Sequence, residues 1–296
     1  MDNFTYSFIA PHRNNPNLLN RLINSIPQRN DLEIIVVDDN SDPVNIPVNL
    51  RNDVKLICID SEHSKGAGHA RNVGLKAAKG TWLLFPDCDD FYEKDFLKEL
   101  DKYRNSNYDI VYFNIYYSID LTTGHVWKSK FDDYLIKLNL SPNDSYLKKS
   151  VSFFHNEPWC KMLKREFINK IQARYEEVPI ANDAWFSIYT ASQTENITGI
   201  TKKLYYWVRN PNGLTNSKKT FHQFLNRQKY MNKILQLRIH NKAWNTIDPL
   251  WRGLGRDIKC LGLFKALLLR LISIKDGYPL FLWTYHYFLD KINHRR

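Results

Sequence analysis

The stretch Thr81-Trp82-Leu83-Leu84-Phe85-Pro86-Asp87-Cys88-Asp89-Asp90 sets five mostly apolar residues against three carboxylates within four positions. A short apolar run entered from Lys79-Gly80 reads as a buried parallel strand. The carboxyl ends of such strands are where open α/β sheets bind ligands. Three carboxylates crowded at a strand end repel one another and lose hydration, so a divalent cation or a network of donors is expected to neutralise them. Asp87 and Asp89 are the candidate metal ligands. The competing reading, that Asp87 or Asp90 caps a helix from Tyr92 to Tyr103, uses one carboxylate and leaves two unexplained.

Outward from this stretch, strands and helices alternate. Ser7-Phe8-Ile9-Ala10 reads as a first strand closed by Pro11. Leu18, Leu19, Leu22, Ile23 and Ile26 then fall at helical spacing, with Asn17 as the cap. Leu32 to Val37 is a second strand, and it too ends in acid, Asp38-Asp39-Asn40-Ser41. Val54 to Ile59 is a third, followed by Gly66-Ala67-Gly68 opening a helix from His69 to about Ala78. This order predicts βαβ units in a mostly parallel sheet flanked by helices, with Asp39 and Asp89 facing one crevice.

Further along, Tyr108 to Tyr117 reads as a strand. Residues 121 to 152 are polar and weakly patterned, and read as a mobile or acceptor-facing segment. Glu157-Pro158-Trp159-Cys160-Lys161 precedes a helix, Asn182-Asp183-Ala184 opens another, and Leu204 to Val208 is a late strand before the turn Asn210-Pro211-Asn212-Gly213.

A hydrophobic content of 43% in 296 residues supports one large domain with an addition, or two domains. The net charge of +11 is unevenly placed: residues 1 to 217 carry 26 Lys+Arg against 27 Asp+Glu, and residues 218 to 296 carry 16 against 4. That shift predicts a catalytic unit over 1–217 and a basic helical region over 218–296. Leu261, Leu263, Phe264, Leu267, Leu268, Leu271 and Phe281 add apolar surface to that charge, which suits an anionic membrane surface, and Arg256, Lys259 and Arg270 share one side of a helix, with Lys265 opposite them in an imperfect amphipathic pattern. Packing of the same leucines on the catalytic unit or in a dimer is the alternative. The four scattered cysteines indicate neither zinc nor disulfides, and the amino terminus does not resemble an export signal. A cytoplasmic protein is expected.

The motifs Ile9-Ala10-Pro11 with Asn14, Val36-Val37-Asp38-Asp39-Asn40-Ser41, Ala70-Arg71-Asn72 with Gly74 and Gly80, and Asp87-Cys88-Asp89-Asp90 resemble, in order and spacing, those of the family-2 glycosyltransferases with the GT-A, Rossmann-like fold. The resemblance spans about residues 5 to 215. It implies a nucleotide-sugar site with Pro11, Asp39 and Arg71 on the nucleotide, Asp87 at the ribose or metal, and Asp89 on Mg²⁺ or Mn²⁺, with Asp38 in support. It also implies Asp183 as the catalytic base, although Asn182 stands where an acidic residue is usual and a cap for the helix Ala184 to Thr190 is the alternative, and it places Trp159 near the acceptor, with a core tryptophan as the alternative. No Gln-x-x-Arg-Trp follows Asp183, so single-sugar addition is expected. The resemblance further implies a UDP-sugar donor, a saccharide or lipid-linked acceptor, inversion at the anomeric carbon, and a role in bacterial surface polysaccharide synthesis at the inner membrane face.

Two other readings stand beside this one. A sugar-nucleotide nucleotidyltransferase needs a glycine-rich triphosphate loop after the first strand, and Ala10-Pro11-His12-Arg13 has no glycine. A non-catalytic transferase relative, or a nucleic-acid binder using the basic tail, predicts steep salt dependence and no response to nucleotide sugars.

Overall fold

The computed structural model describes residues 4–121, 123–127, 130–154, 156–178, 182–209, 220–247 and 254–278. Its amino-terminal half is built on β1 (Tyr6–His12), which lies between β2 (Leu32–Asp39) and β4 (Trp82–Leu84), with β3 (Val54–Ile59) outside β2, all parallel. Nearly every side chain of β1 and β2 is buried, as a sheet covered on both faces requires. Helix α1 (Pro16–Ser25) covers it with Leu19, Leu22 and Ile23, and α2 (Ala67–Ala77) packs close because Gly74 has no side chain: a Cβ there would stand 2.3 Å from Ile9 Cγ2.

Several predicted boundaries move for identifiable reasons. β1 runs through Pro11 to His12, because its pairing with β4 ends at Phe8 opposite Leu84 and Pro11 lies past that ladder. Pro16 is the first residue of α1, so Asn17 lies inside the helix and is not its cap. The helix expected from Tyr92 begins later, as α3 (Phe96–Asp101), since Phe91 and Tyr92 form β5. No helix therefore starts where Asp87 or Asp90 could cap it.

Residues 121 to 152, left unassigned by their pattern, contain α4 (Lys130–Leu140) and α5 (Ser145–Phe154). Phe131, Leu135 and Leu138 form the buried stripe of α4. Glu157 to Lys161 leads not into a helix but into β7 (Lys161–Lys164), antiparallel to β4 and to β6 (Ile110–Ile119), and α6 (Arg165–Lys170) follows. After α7 (Asn182–Ser192), the late strand is longer than its apolar end suggests: β8 (Ile197–Val208) runs parallel to β6 and antiparallel to β5. The sheet order is β3-β2-β1-β4-β7-β6-β8-β5, mixed rather than uniformly parallel, with four parallel and three antiparallel neighbours.

The basic region is helical in its described parts: α8 (Phe221–His240), α9 (Leu254–Leu261) and α10 (Leu263–Lys275). Thr220 and Gln223 form a capping box at the start of α8. Ile234 and Ala243 share a small core with Phe153, Ala184 and Ile188, and Arg238 donates to Phe153 O at 3.0 Å and Asn156 Oδ1 at 2.8 Å. α8 is thus fastened to α5 and α7. α10 is held to α8 by Gln228 on Ser273 Oγ at 2.7 Å and to α9 by the buried pair Arg270–Asp257 at 2.8 Å. Arg270 is therefore inward and neutralised, and does not join the exposed Lys259 in an outward basic stripe. The predicted turn at Asn210–Gly213, the boundary at 217/218 and Phe281 lie outside the described residues.

Candidate nucleotide-sugar site

Three strand ends and one helix start converge. Asp38 and Asp39 close β2, but they do different work. Asp38 is buried and fully engaged: His12 Nδ1 lies 2.7 Å from its Oδ1, Ser41 Oγ donates at 2.5 Å, and Ser41 N donates to Oδ2 at 3.0 Å. Asn15 N donates to His12 Nε2, which leaves the ring proton on Nδ1, facing Asp38. Asn14 continues the clasp, taking Asp42 N on its side chain at 2.7 Å and giving its own N–H to Ser41 Oγ. Asp38 and Asn14 therefore shape the loop, as supporting residues.

Asp39 is turned the other way. Gly66 N donates to its Oδ2 at 2.9 Å, and Gly66 takes φ +90°, a conformation that favours glycine. Asp39 Oδ1 is buried without a hydrogen-bond partner. An orphaned carboxylate oxygen is costly unless a ligand supplies the donor. Pro11 is buried near the end of β1, opposite Val37 of the strand that Asp39 closes.

Arg71 is the hub. It is only 4% exposed, from the buried face of α2, and gives Nη2 to Asp87 Oδ1 at 2.5 Å and Nη1 to Asn182 Oδ1 at 3.0 Å. Tyr175 lies beneath the guanidinium at 5.4 Å and stacks on Phe186 at 4.0 Å. Asn72, next in the motif, holds the Tyr175 segment by two bonds, Nδ2 to Tyr175 O at 2.9 Å and Tyr175 N to its Oδ1 at 2.8 Å. The sequence signal for Arg71 thus marks a buried bridge rather than an exposed helical arginine.

Carboxylate oxygens of Asp87, Asp89 and Asp90 all lie within 4.8 Å of one another. Tyr205 OH donates to Asp90 Oδ2 at 2.9 Å and accepts from Asp87 N at 3.0 Å, while Val208 N donates to Asp90 Oδ1 at 2.7 Å. Arg21 reaches the Asp89 carbonyl from α1. Burial pushes the Asp87 carboxyl up to about 6 against the pull of Arg71, with Asp89 and Asp183 adding to the rise. Burial, then Asp87 and Asp89, raise Asp90 well above the carboxylate range. Burial, reinforced by Asp89, Asp87 and Asp90, likewise pushes the Cys88 thiol up. Such crowding of hard oxygens could hold a divalent cation, and Asp90 is in addition tied into the fold by Tyr205 and Val208.

Asp183 lies in the first turn of α7, next to the Asn182 that Arg71 grips. Burial raises its carboxyl, opposed by Arg71 and reinforced by Glu157. Of its two readings, acceptor side or core, Trp159 takes the packed one. It is 2% exposed and stacks on Tyr205 and Trp207, both at 5.8 Å, so its ring packs behind the site. Sequence reasoning missed Tyr205, Asn182 as a ligand of Arg71, Tyr175 and Arg21, whose roles come from contacts between distant segments.

The profile of glycosyl transferase family 2 matches residues 7–172. TarP of Staphylococcus aureus strain N315, a poly(ribitol-phosphate) beta-N-acetylglucosaminyltransferase, is 27% identical over 232 residues, covering 74% of this chain and 68% of TarP. Among solved structures, S. aureus TarS 1–349 with UDP-GlcNAc superposes with a TM-score of 0.62 at 17% identity, covering 93% of each chain. The mannosyltransferase PcManGT of Pyrobaculum calidifontis, with GDP-Man and Mn²⁺, gives a TM-score of 0.53 at 16% identity over 99% of this chain and 88% of its own. At such identities the likeness establishes the shared fold.

Proposed function

This chain belongs to glycosyl transferase family 2 and is a glycosyltransferase, and from that premise we propose that it transfers one sugar from a UDP-sugar to a saccharide or lipid-linked acceptor, with inversion. The observation that carries the reading is the double grip of Arg71 on Asp87 and Asn182, which locks the acidic strand end to the start of the helix bearing Asp183. A nucleotide site and a base are thereby held in one rigid unit.

Each residue then has a task. The partnerless Asp39 Oδ1 accepts the N–H of the base edge. Pro11 flanks the base, Asp87 meets the ribose, and Arg71 holds Asp87 in place. Asp183 takes the proton of the acceptor hydroxyl as that oxygen bonds to the anomeric carbon from the face opposite the diphosphate, which departs with the electron pair of the broken C–O bond. A divalent cation held by Asp87 and Asp89 would offset the charge developing on the diphosphate. TarS bound to UDP-GlcNAc and PcManGT bound to GDP-Man support a nucleotide-sugar donor. Setting the enzyme in surface polysaccharide synthesis, on the cytoplasmic side of the membrane, follows the family resemblance.

The test is release of nucleoside diphosphate from a panel of UDP- and GDP-sugars with Mn²⁺ or Mg²⁺, alone and with saccharide or polyprenyl-linked acceptors. Acceptor-dependent release from one UDP-sugar is expected. Release of triphosphate, or no turnover with any donor, contradicts the proposal.

A further inference from the structure

Ten large apolar side chains are exposed among the described residues, and five of them lie on α10: Leu263, Phe264, Leu267, Leu271 and Ile274. At 100° per residue they fill an arc of about 100° on one side of the helix. The opposite side, Ala266, Leu269, Arg270 and Ser273, is buried against the rest of the protein. Phe264 is 80% exposed, Leu271 61% and Leu263 59%. Packing of α10 on α8 and α9 thus accounts for one face and leaves a second apolar face outward. Contiguous exposed apolar surface of this kind marks an interaction site.

The charges around the stripe select its occupant. Lys259 in the last turn of α9 and Lys275 at the end of α10 are exposed, whereas Lys265 turns away from the stripe to the Phe221 ring, Asp257 is buried on Arg270 and Asp276 is bonded to Asn232. An isologous contact between two copies would bring like charges together, and five side chains on one helix fall well short of the ~20–30 residues a side of a stable interface. At 13 residues, α10 is ~20 Å long against a hydrocarbon core of ~30 Å, and no described helix is long and apolar enough to cross a membrane. A helix with an apolar face, basic flanks and insufficient length to span lies in the plane of the interface.

We propose that α10 is a membrane-docking helix: its outward stripe inserts into an anionic bilayer surface while the flanking lysines meet the lipid headgroups. The inference is independent of the transfer chemistry. α8, which holds α10, is itself fastened to α7, so docking would orient the Asp183 side of the molecule relative to the membrane.

The experiment is co-sedimentation of the full chain with vesicles of phosphatidylcholine alone or with phosphatidylglycerol, for the parent, Phe264→Ser/Leu271→Ser, and Lys259→Gln/Lys275→Gln. All four positions are exposed, and thermal unfolding checks that each variant folds. Binding to anionic vesicles at low ionic strength is expected, reduced at least about tenfold by the double serine change and made less salt-sensitive by the glutamine change. No binding by the parent, or parental affinity in the double serine variant, overturns the proposal. So does a dimer, seen by light scattering, that the serine variant dissociates.

Discussion

Arg71 Nη1 donates to Asn182 Oδ1 at 3.0 Å, across 111 residues of sequence. Asn182 replaces the acidic residue usual before the base, and it still accepts from the guanidinium whose other nitrogen holds Asp87. The departure therefore preserves the bridge and removes one negative charge from a region already crowded with Asp87, Asp89 and Asp90.

Arg71→Lys should break that bridge, since one ammonium cannot hold two partners in the fixed geometry of a guanidinium. Transfer is expected to fall at least about tenfold, with weaker donor binding. Asn182→Asp keeps the acceptor and should stay within a few-fold of the parent. Steady-state kinetics on the two variants checks both outcomes.

Removal of the cation should abolish transfer and its return should restore it, because Asp87, Asp89 and Asp90 are too close together to ionise freely without one. Asp89→Ala should lose both transfer and cation-assisted nucleotide binding while keeping the fold. Calorimetric titration of UDP with and without Mn²⁺ separates the two effects. Full activity in excess chelator would remove the metal from the account.

Lys161 presents a different balance. It is 1% exposed, lies 5.4 Å from the Tyr112 ring, and its Nζ has no hydrogen-bond partner. Burial lowers its pKa from 10.5, so between the folded and the ordinary value the unfolded chain binds more protons, and stability rises with pH across that window. Lys161→Met should be neutral or stabilising and should lack this pH dependence. Thermal unfolding measured from neutral pH to about 10 tests the sign.

The half of the fold nearest β1 is readable in sequence because both faces of its strands are buried, leaving continuous apolar runs that end in acid. The other half is not, for physical reasons. α4 hides its stripe of Phe131, Leu135 and Leu138 among charges, and β7 is four residues long with lysine at each end. β8 carries exposed Thr201 and Lys202 before its apolar end. Asp39, Arg71, Asp87 and Asp89 were visible as motifs, but why they belong together was not. Tyr205 bridging Asp87 and Asp90, and Asn182 receiving Arg71, join residues 111 to 118 positions apart, which no local spacing records. Trp159, open in sequence between an acceptor-side ring and a core tryptophan, is a buried ring stacked on Tyr205 and Trp207.

Asp183 is the proposed acceptor of the proton that the attacking hydroxyl gives up. Asp183→Asn keeps the size of the side chain and its ability to accept hydrogen bonds at the start of α7, yet its amide cannot take up that proton. The decisive measurement is the single-turnover rate of sugar transfer by this variant at saturating donor and cation. A loss of at least about 10²-fold, with donor affinity and thermal stability near those of the parent, is the predicted result. A rate within a few-fold of the parent would contradict it.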